Sequence, residues 1–382
     1  MDRLLGTITL PALMIAFVPS AFAGTINTSG CGSAEVQSAI DGASANDTVP
    51  LPTACTAVWT STVNIPGSKA LTLDGNGSTI TRNISGSGTL ISLQSNAAAT
   101  SRVTNFIFSF QSGTGAGPMY ISVGGGWTNA KFRVDHNTFR TAGTQVHLKV
   151  GSALGLIDNN KFYTTRGGEI IHVEAYGANS DAGWRNTVVP GSDDAVYIED
   201  NEFYNAVSGD PAYFYGGSAV QNYYGARTVF RYNFCQMTQF DAHGTAGMIG
   251  ARWWEVYENE FNYVPNGNQD KVLALRAGSG VVFNNRTSGS SNDGSGAIVA
   301  YEEDSGYPAL YQVGRGKDQV LDPAYVWGNA SSIPVTSSSS NVQVGRDFLT
   351  TAKPGYQPYV YPHPLQLSSV RPNAPANVSV LP

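Results

Sequence analysis

Alternating apolar and polar residues recur along this chain in short runs, and one polar step closes run after run. AVYIED (195–200) and WWEVYE (253–258) are two such runs, and each passes directly into an x-Asn-x-Phe step. Full copies of the step are HNTF (136–139), NNKF (159–162), DNEF (200–203) and ENEF (258–261), with degraded copies YNFC (232–235) and NNRT (284–287). Period-two alternation over a few residues predicts short strands. The step asparagines, Asn137, Asn160, Asn201, Asn233, Asn259 and Asn285, lie 23, 41, 32, 26 and 26 residues apart. A period in the twenties, lengthened by insertions and with no amphipathic helices between the strands, predicts a β-solenoid.

Turn chemistry agrees with that reading. A sharp turn between strands puts one residue in the left-handed region, which Asn tolerates better than most residues, so the repeated Asn is expected to occupy it. Stacked Asn side chains can then hydrogen-bond from coil to coil, and the Phe two residues on points into the core. A solenoid also needs capped ends. SAEVQSAIDGASA (33–45) supplies one, because Val36, Ala39, Ile40 and Ala43 share a helical face and Ser33 is a candidate N-cap for a helix over 34–44.

Aligning the strands on their asparagines sorts the faces. Three residues before each Asn stand Val134, Ile157, Ile198, Phe230, Val256 and Val282, an inward apolar row. Two and four before stand Arg133, Asp135, Asp158, Tyr197, Glu199, Arg231, Glu255 and Tyr257, which alternation turns outward together as one polar strip. A second strip lies ten to twelve residues after each Asn and holds His147 and Lys149, His172 and Glu174, Tyr213 and Tyr215, His243, and then Lys271. Trp253 and Trp254 are adjacent, so one packs inward while the other faces outward, free to stack on a ring.

Composition narrows the picture. Charged residues make up 13% of the 382, about half the usual share, while glycine numbers 43 and hydrophobic residues reach 41%. That mixture suits tight turns and a real core. The net charge of −6 argues against nucleic acid as a partner. Arg3, the apolar run LPALMIAFV and the Ala21-Phe22-Ala23 site predict a secretory signal peptide over 1–23, cut before Gly24. No later run approaches the ~18 apolar residues of a membrane span, so an exported, membrane-free monomer is expected. In an oxidising compartment Cys31 and Cys55 are expected to pair, leaving Cys235 as a small buried thiol at a position where other repeats carry Phe.

The cap segment, the coil LTLDGNGSTI (71–80) and the Asn-turn repeats together resemble secreted bacterial right-handed parallel β-helix proteins of the pectate-lyase-like superfamily. The resemblance runs from about 30 to 330, and YQPYVYPHPL (356–365) is similar to the close of many members. It implies a single all-β domain over 24–365 with a C-terminal tail at 366–382. It also implies action on a polysaccharide.

Three functions are consistent with these residues. A lyase that β-eliminates at a uronic acid needs groups to neutralise the carboxylate, a base beside the ring carbon and an acid for the leaving oxygen. His243 is the expected base, Arg231 and Arg252 the carboxylate clamp, and Arg227, Tyr197, Glu199, Glu255, Tyr257, Lys271 and Arg276 the substrate contacts. The resemblance adds calcium if the reaction needs it, with Glu199 and Glu255 as its ligands. GGEIIHVEAYG (167–177) is similar to an alginate and chondroitin lyase motif but lacks that motif's lysine. A glycoside hydrolase would instead use a carboxylate pair, for which Glu199 and Glu255 two coils apart are the candidates. A non-catalytic carbohydrate-binding surface protein would need only the aromatic strip.

Overall fold

The computed structural model describes residues 23–86, 88–95, 99–110, 119–125, 131–140, 146–164, 168–174, 184, 187–205, 217–244, 248–263, 271–289, 297–302 and 309–367. Residues 1–22, where a signal peptide is expected, Tyr213, Tyr215 and most of the tail lie outside them. Among the described residues nine successive coils each contribute one strand to each of three all-parallel sheets, and the last strands join two of them, giving sheets of eleven, nine and ten strands. The chain is a right-handed parallel β-helix.

The apolar row predicted to face inward does so. Val134, Ile157, Ile198, Phe230 and Val256 are registered on successive strands of the eleven-stranded sheet and are fully buried. In the nine-stranded sheet Phe108, Phe139, Phe162 and Phe203 stack at centroid distances of 5.1, 4.7 and 4.9 Å. Cys235 takes the next place in that column, paired between Phe203 and Phe261, and it is buried and free. Burial pushes its thiol pKa up, which suits a packing residue rather than a nucleophile.

The asparagines stack as expected. Asn137 N donates to Asn160 Oδ1 at 2.9 Å, and the same bond links Asn160, Asn201, Asn233, Asn259 and Asn285 at 3.0–3.1 Å. The ladder runs one coil further, to Asn329, 44 residues after Asn285. One expectation needs correcting. The left-handed residue is the one before each ladder Asn: His136, Asn159, Asp200, Tyr232, Glu258 and Asn284 have φ of 54–58°. The ladder Asn must aim its amide along the solenoid axis to bond both neighbouring coils, so its predecessor makes the bend.

The cap helix runs Ser33–Gly42 and buries Val36, Ala39 and Ile40. Gly32 holds the N-cap position, and Ser33 lies inside the helix with Oγ 2.8 Å from Ser61 Oγ. Cys31 and Cys55 are disulfide-bonded, with Cα atoms 6.5 Å apart. At the other end, residues 353–367 leave the solenoid and return across the outside of the eleven-stranded sheet. Among the described residues no helix is long and apolar enough to cross a membrane.

Candidate functional site

Two outer faces carry the predicted polar strips, and they differ in what covers them. On the eleven-stranded sheet the strip is roofed by the chain's own C-terminal segment. Arg231 Nε donates to Glu199 Oε2 at 2.6 Å, while its two Nη atoms donate to the carbonyls of Tyr359 and Val360 at 2.7 and 2.9 Å. Glu199 Oε1 accepts from His363 N and Gln366 Nε2, both at 2.8 Å. Glu255 accepts from Tyr356 Oη at 2.6 Å, Gly191 N at 2.7 Å and Trp253 Nε1 at 2.9 Å. Tyr257 Oη accepts from Arg231 Nη1 at 2.9 Å, and Tyr197 Oη donates to the Ser192 carbonyl at 2.5 Å.

These contacts correct the expected polymer-facing strip. Tyr197, Glu199, Arg231, Glu255 and Tyr257 do point out of the solenoid, but all are buried. Every carboxylate oxygen of Glu199 and Glu255 already accepts a bond from the chain, so neither fits as a calcium ligand. Burial holds the Glu199 carboxyl above its usual range although Arg231 opposes it, as in a closed ion pair. The tryptophans follow the same logic. Trp254 is the inward one, with Nε1 donating to the Ala277 carbonyl at 3.0 Å. Trp253 points outward but is buried, and Lys353 Nζ lies 5.6 Å over its ring.

Arg227 and Arg252 occupy successive coils at the corner between the ten- and eleven-stranded sheets. Arg227 pairs with Asp194. Arg252 Nη1 is 3.5 Å from Asp322 Oδ2, and its guanidinium lies 5.8 Å over the Trp184 ring. Burial lowers the Arg252 pKa against the pull of Asp322, and Arg227 adds to the lowering. Both arginines are buried, and they hold excursion segments against the solenoid.

The ten-stranded face has no such roof among the described residues. Lys149, His172, Gln221 and Asp241 stand in register on four successive strands, and Glu174 is registered with Tyr223 in the neighbouring row. His172 is clamped on both nitrogens: Nδ1 is 2.5 Å from Glu169 Oε2 and Nε2 is 2.7 Å from Glu174 Oε1. Lys149 Nζ is 2.7 Å from the same Glu174 oxygen. The Tyr223 ring stacks on His172 at 4.5 Å and lies 4.3 Å from the His243 ring. Its hydroxyl donates to Glu169 Oε1 at 2.9 Å and also touches Gln221 Oε1. Asp241 receives Arg276 Nε at 3.1 Å and Nη2 at 2.6 Å, and its Oδ2 is 3.4 Å from His243 Nδ1, which Arg276 also touches. Lys271 and Arg276 both lie 5.9 Å over the Tyr301 ring.

The electrostatics follow from these contacts. Burial alone would lower the His172 pKa, but Glu169 and Glu174 outweigh it, and the imidazole is held above its ordinary value. The Glu174 carboxyl is held low, because bonds from His172 and Lys149 outweigh its burial. The Tyr223 phenol is pushed well up, by burial first and then by the charge and hydrogen bond of Glu169.

Of the residues singled out in the sequence, His243, Arg276 and Lys271 come together on this face, with Lys149, His172 and Glu174 from the second strip. His147 does not join them. It is buried inside the solenoid, with its ring 5.8, 6.4 and 6.2 Å from those of Tyr120, Phe139 and Phe162. The sequence reading missed Tyr223, Glu169, Gln221 and Asp241. Tyr223 falls 22 residues after Asn201 because an insertion lengthens that coil, so a fixed offset pointed to Tyr213 and Tyr215 instead. Asp241 carried a usable signal, since it stands two residues before His243 on the same face. No known protein-family model matches the chain, and no curated protein matches it.

Proposed function

We propose that this chain is an exported polysaccharide lyase, cleaving an acidic, uronic-acid-containing polymer by β-elimination on the outer face of the ten-stranded sheet. One observation carries the reading: the Tyr223 ring stands between His172 and His243, with Lys149 and Arg276 to either side along the solenoid axis, from coil to coil. A phenol, two imidazoles and two fixed cations in one row match the needs of the reaction. Three members of the row keep exposure, while Tyr223 and Arg276 are buried behind them. The side chains of His172, His243 and Lys149 keep 14%, 19% and 34% of their exposure, against 0% for Arg231.

In this mechanism Arg276, oriented by Asp241, and Lys149 neutralise uronate carboxylates. His243 takes the proton from the carbon α to the carboxylate, forming imidazolium beside Asp241. The electron pair moves into the new C=C bond as the glycosidic C–O bond breaks, and Tyr223 gives its proton to the departing oxygen. The imidazolium proton then returns to the phenolate, so the site resets with no net proton gained or lost.

The hydrolase alternative has less to stand on. Glu169 and Glu174 are close enough to form a carboxylate pair, but the His172 ring fills the space between them. Glu199 and Glu255 are roofed by the C-terminal segment. The deciding experiment is a panel of pectate, alginate, hyaluronan, chondroitin and glucuronan. Growth of the ultraviolet absorbance of an unsaturated uronate supports the lyase. New reducing ends without that absorbance would point to a hydrolase, and binding with neither would point to a carbohydrate-binding surface protein.

A further inference from the structure

We propose that Glu169 is a positioning residue that holds the Tyr223 hydroxyl in place as the proton donor of the elimination; the inference rests on the lyase reading above. The geometry sets the two residues on neighbouring coils, where Glu169 is registered with Ser218 and Tyr223 with Glu174. Glu169 spends one carboxylate oxygen on each partner: Oε1 accepts from the Tyr223 hydroxyl at 2.9 Å and Oε2 meets His172 Nδ1 at 2.5 Å. One carboxylate thereby fixes both the phenol and the imidazole stacked on its ring.

The groups facing Tyr223 come from each strand packed against it. Glu169, His172 and Glu174, the register partner of Tyr223, stand on the preceding coil, Gln221 and Tyr224 beside it on its own, Asp241 and His243 on the following coil, and Arg276 one coil beyond. Burial resists a negative phenolate most, the carboxylates of Glu169 and Asp241 resist it further, and Arg276 opposes them. The balance keeps the proton on oxygen throughout the neutral range, as an acid requires. Phenolate then exists only between protonation of the leaving oxygen and return of the proton from His243. Glu169 raises the energy of that state, which favours return of the proton but makes the phenol a weaker donor. Its help to the reaction therefore lies in orienting the hydroxyl, whose proton leaves the Glu169 bond as it passes to the departing oxygen. Removing its charge lowers the phenol pKa and leaves a share of the enzyme without its acid at high pH.

The test compares the full-length wild type with Glu169→Gln, Glu169→Asp, Glu174→Gln and Tyr223→Phe. One readout is the pH profile of kcat on a cleaved polyuronide. The other is an NMR titration of ring-labelled tyrosine, with the Tyr223 resonance assigned by its loss in Tyr223→Phe. In Glu169→Gln the Tyr223 resonance and the alkaline limb of kcat are expected to move to lower pH together, with kcat down about tenfold to a hundredfold. Glu169→Asp should recover part of both. Glu174→Gln weakens the His172 clamp without removing a hydrogen bond to the phenol, so it should shift the Tyr223 titration far less than Glu169→Gln does. The inference is overturned if the resonance and the limb stay put in Glu169→Gln, or if Tyr223→Phe keeps wild-type turnover on a polymer the wild type cleaves. A shifted titration in a protein that cleaves no polyuronide would sink the lyase reading and the donor role with it, leaving Glu169 a structural contact only.

Discussion

Arg231 Nε stands 2.6 Å from Glu199 Oε2 on the neighbouring coil, and both side chains are fully buried beneath residues 359–366 of the same chain. A guanidinium enclosed this way depends on its carboxylate, because a buried charge left unpaired is costly. Glu199→Gln is therefore expected to lower stability by roughly 3–5 kcal/mol. Turnover per folded molecule should not change. Denaturant melts paired with activity normalised to folded protein check both halves. Full stability with lost turnover would return this strip to the active site.

The same roof makes the C-terminal segment sensitive to acid. The His363 imidazole is pushed down to about 4, by burial first and then by Arg231 and Lys131. The unfolded chain binds that proton near 6.5. The contribution of His363 is thus complete above about 6.5 and is lost as pH falls toward about 4. His363→Gln should remove that part of the acid slope. Proteolysis of the segment at graded pH is the measurement, and an unchanged slope in the variant would count against it.

His172 has the opposite sign. Its folded-state pKa is raised by Glu169 and Glu174, so the stability it supplies is fully present below about 6.5 and is lost as pH rises through the raised value. His172→Gln should flatten the decline in stability on the alkaline side. Unfolding free energies across neutral and alkaline pH test this.

Tyr223→Phe and His243→Ala are each expected to lower kcat on the order of 10²–10⁴ without a comparable loss of fold. The Asp241–Arg276 pair needs neither side chain, and both positions lie outside the apolar interior. Initial rates with thermal melts decide. If both variants fold and turn over normally, the chemistry lies elsewhere.

Reduction of Cys31–Cys55 opens a loop of 24 residues and is expected to cost roughly 3–4 kcal/mol on the loop-entropy account. Under the same conditions Cys235 should resist alkylation until the chain unfolds. Peptide mapping after denaturant titration with and without reductant reports both.

Much of this architecture is written locally. The x-Asn-x-Phe step specifies the bend and the interior column, and period-two alternation specifies which residues leave the core, so Val134 through Val256 and the Asn137–Asn285 ladder were legible by counting. Counting failed where coil length changes. Asn329 and Tyr223 lie beyond insertions, and a fixed offset cannot follow a strand across one. The choice between the two outer faces was out of reach for a different reason. Arg231 and Glu199 look like a sugar-binding pair in the sequence, and His172 looks no better than His147. What separates them is long-range packing: Arg231 bonds the Tyr359 carbonyl across 128 residues, and His147 turns inward among aromatic rings while His172 turns outward between two glutamates. Alternation decides inside from outside, because it follows from the pleat of a single strand. Which outside face is covered is decided only when the C-terminal segment has folded over it.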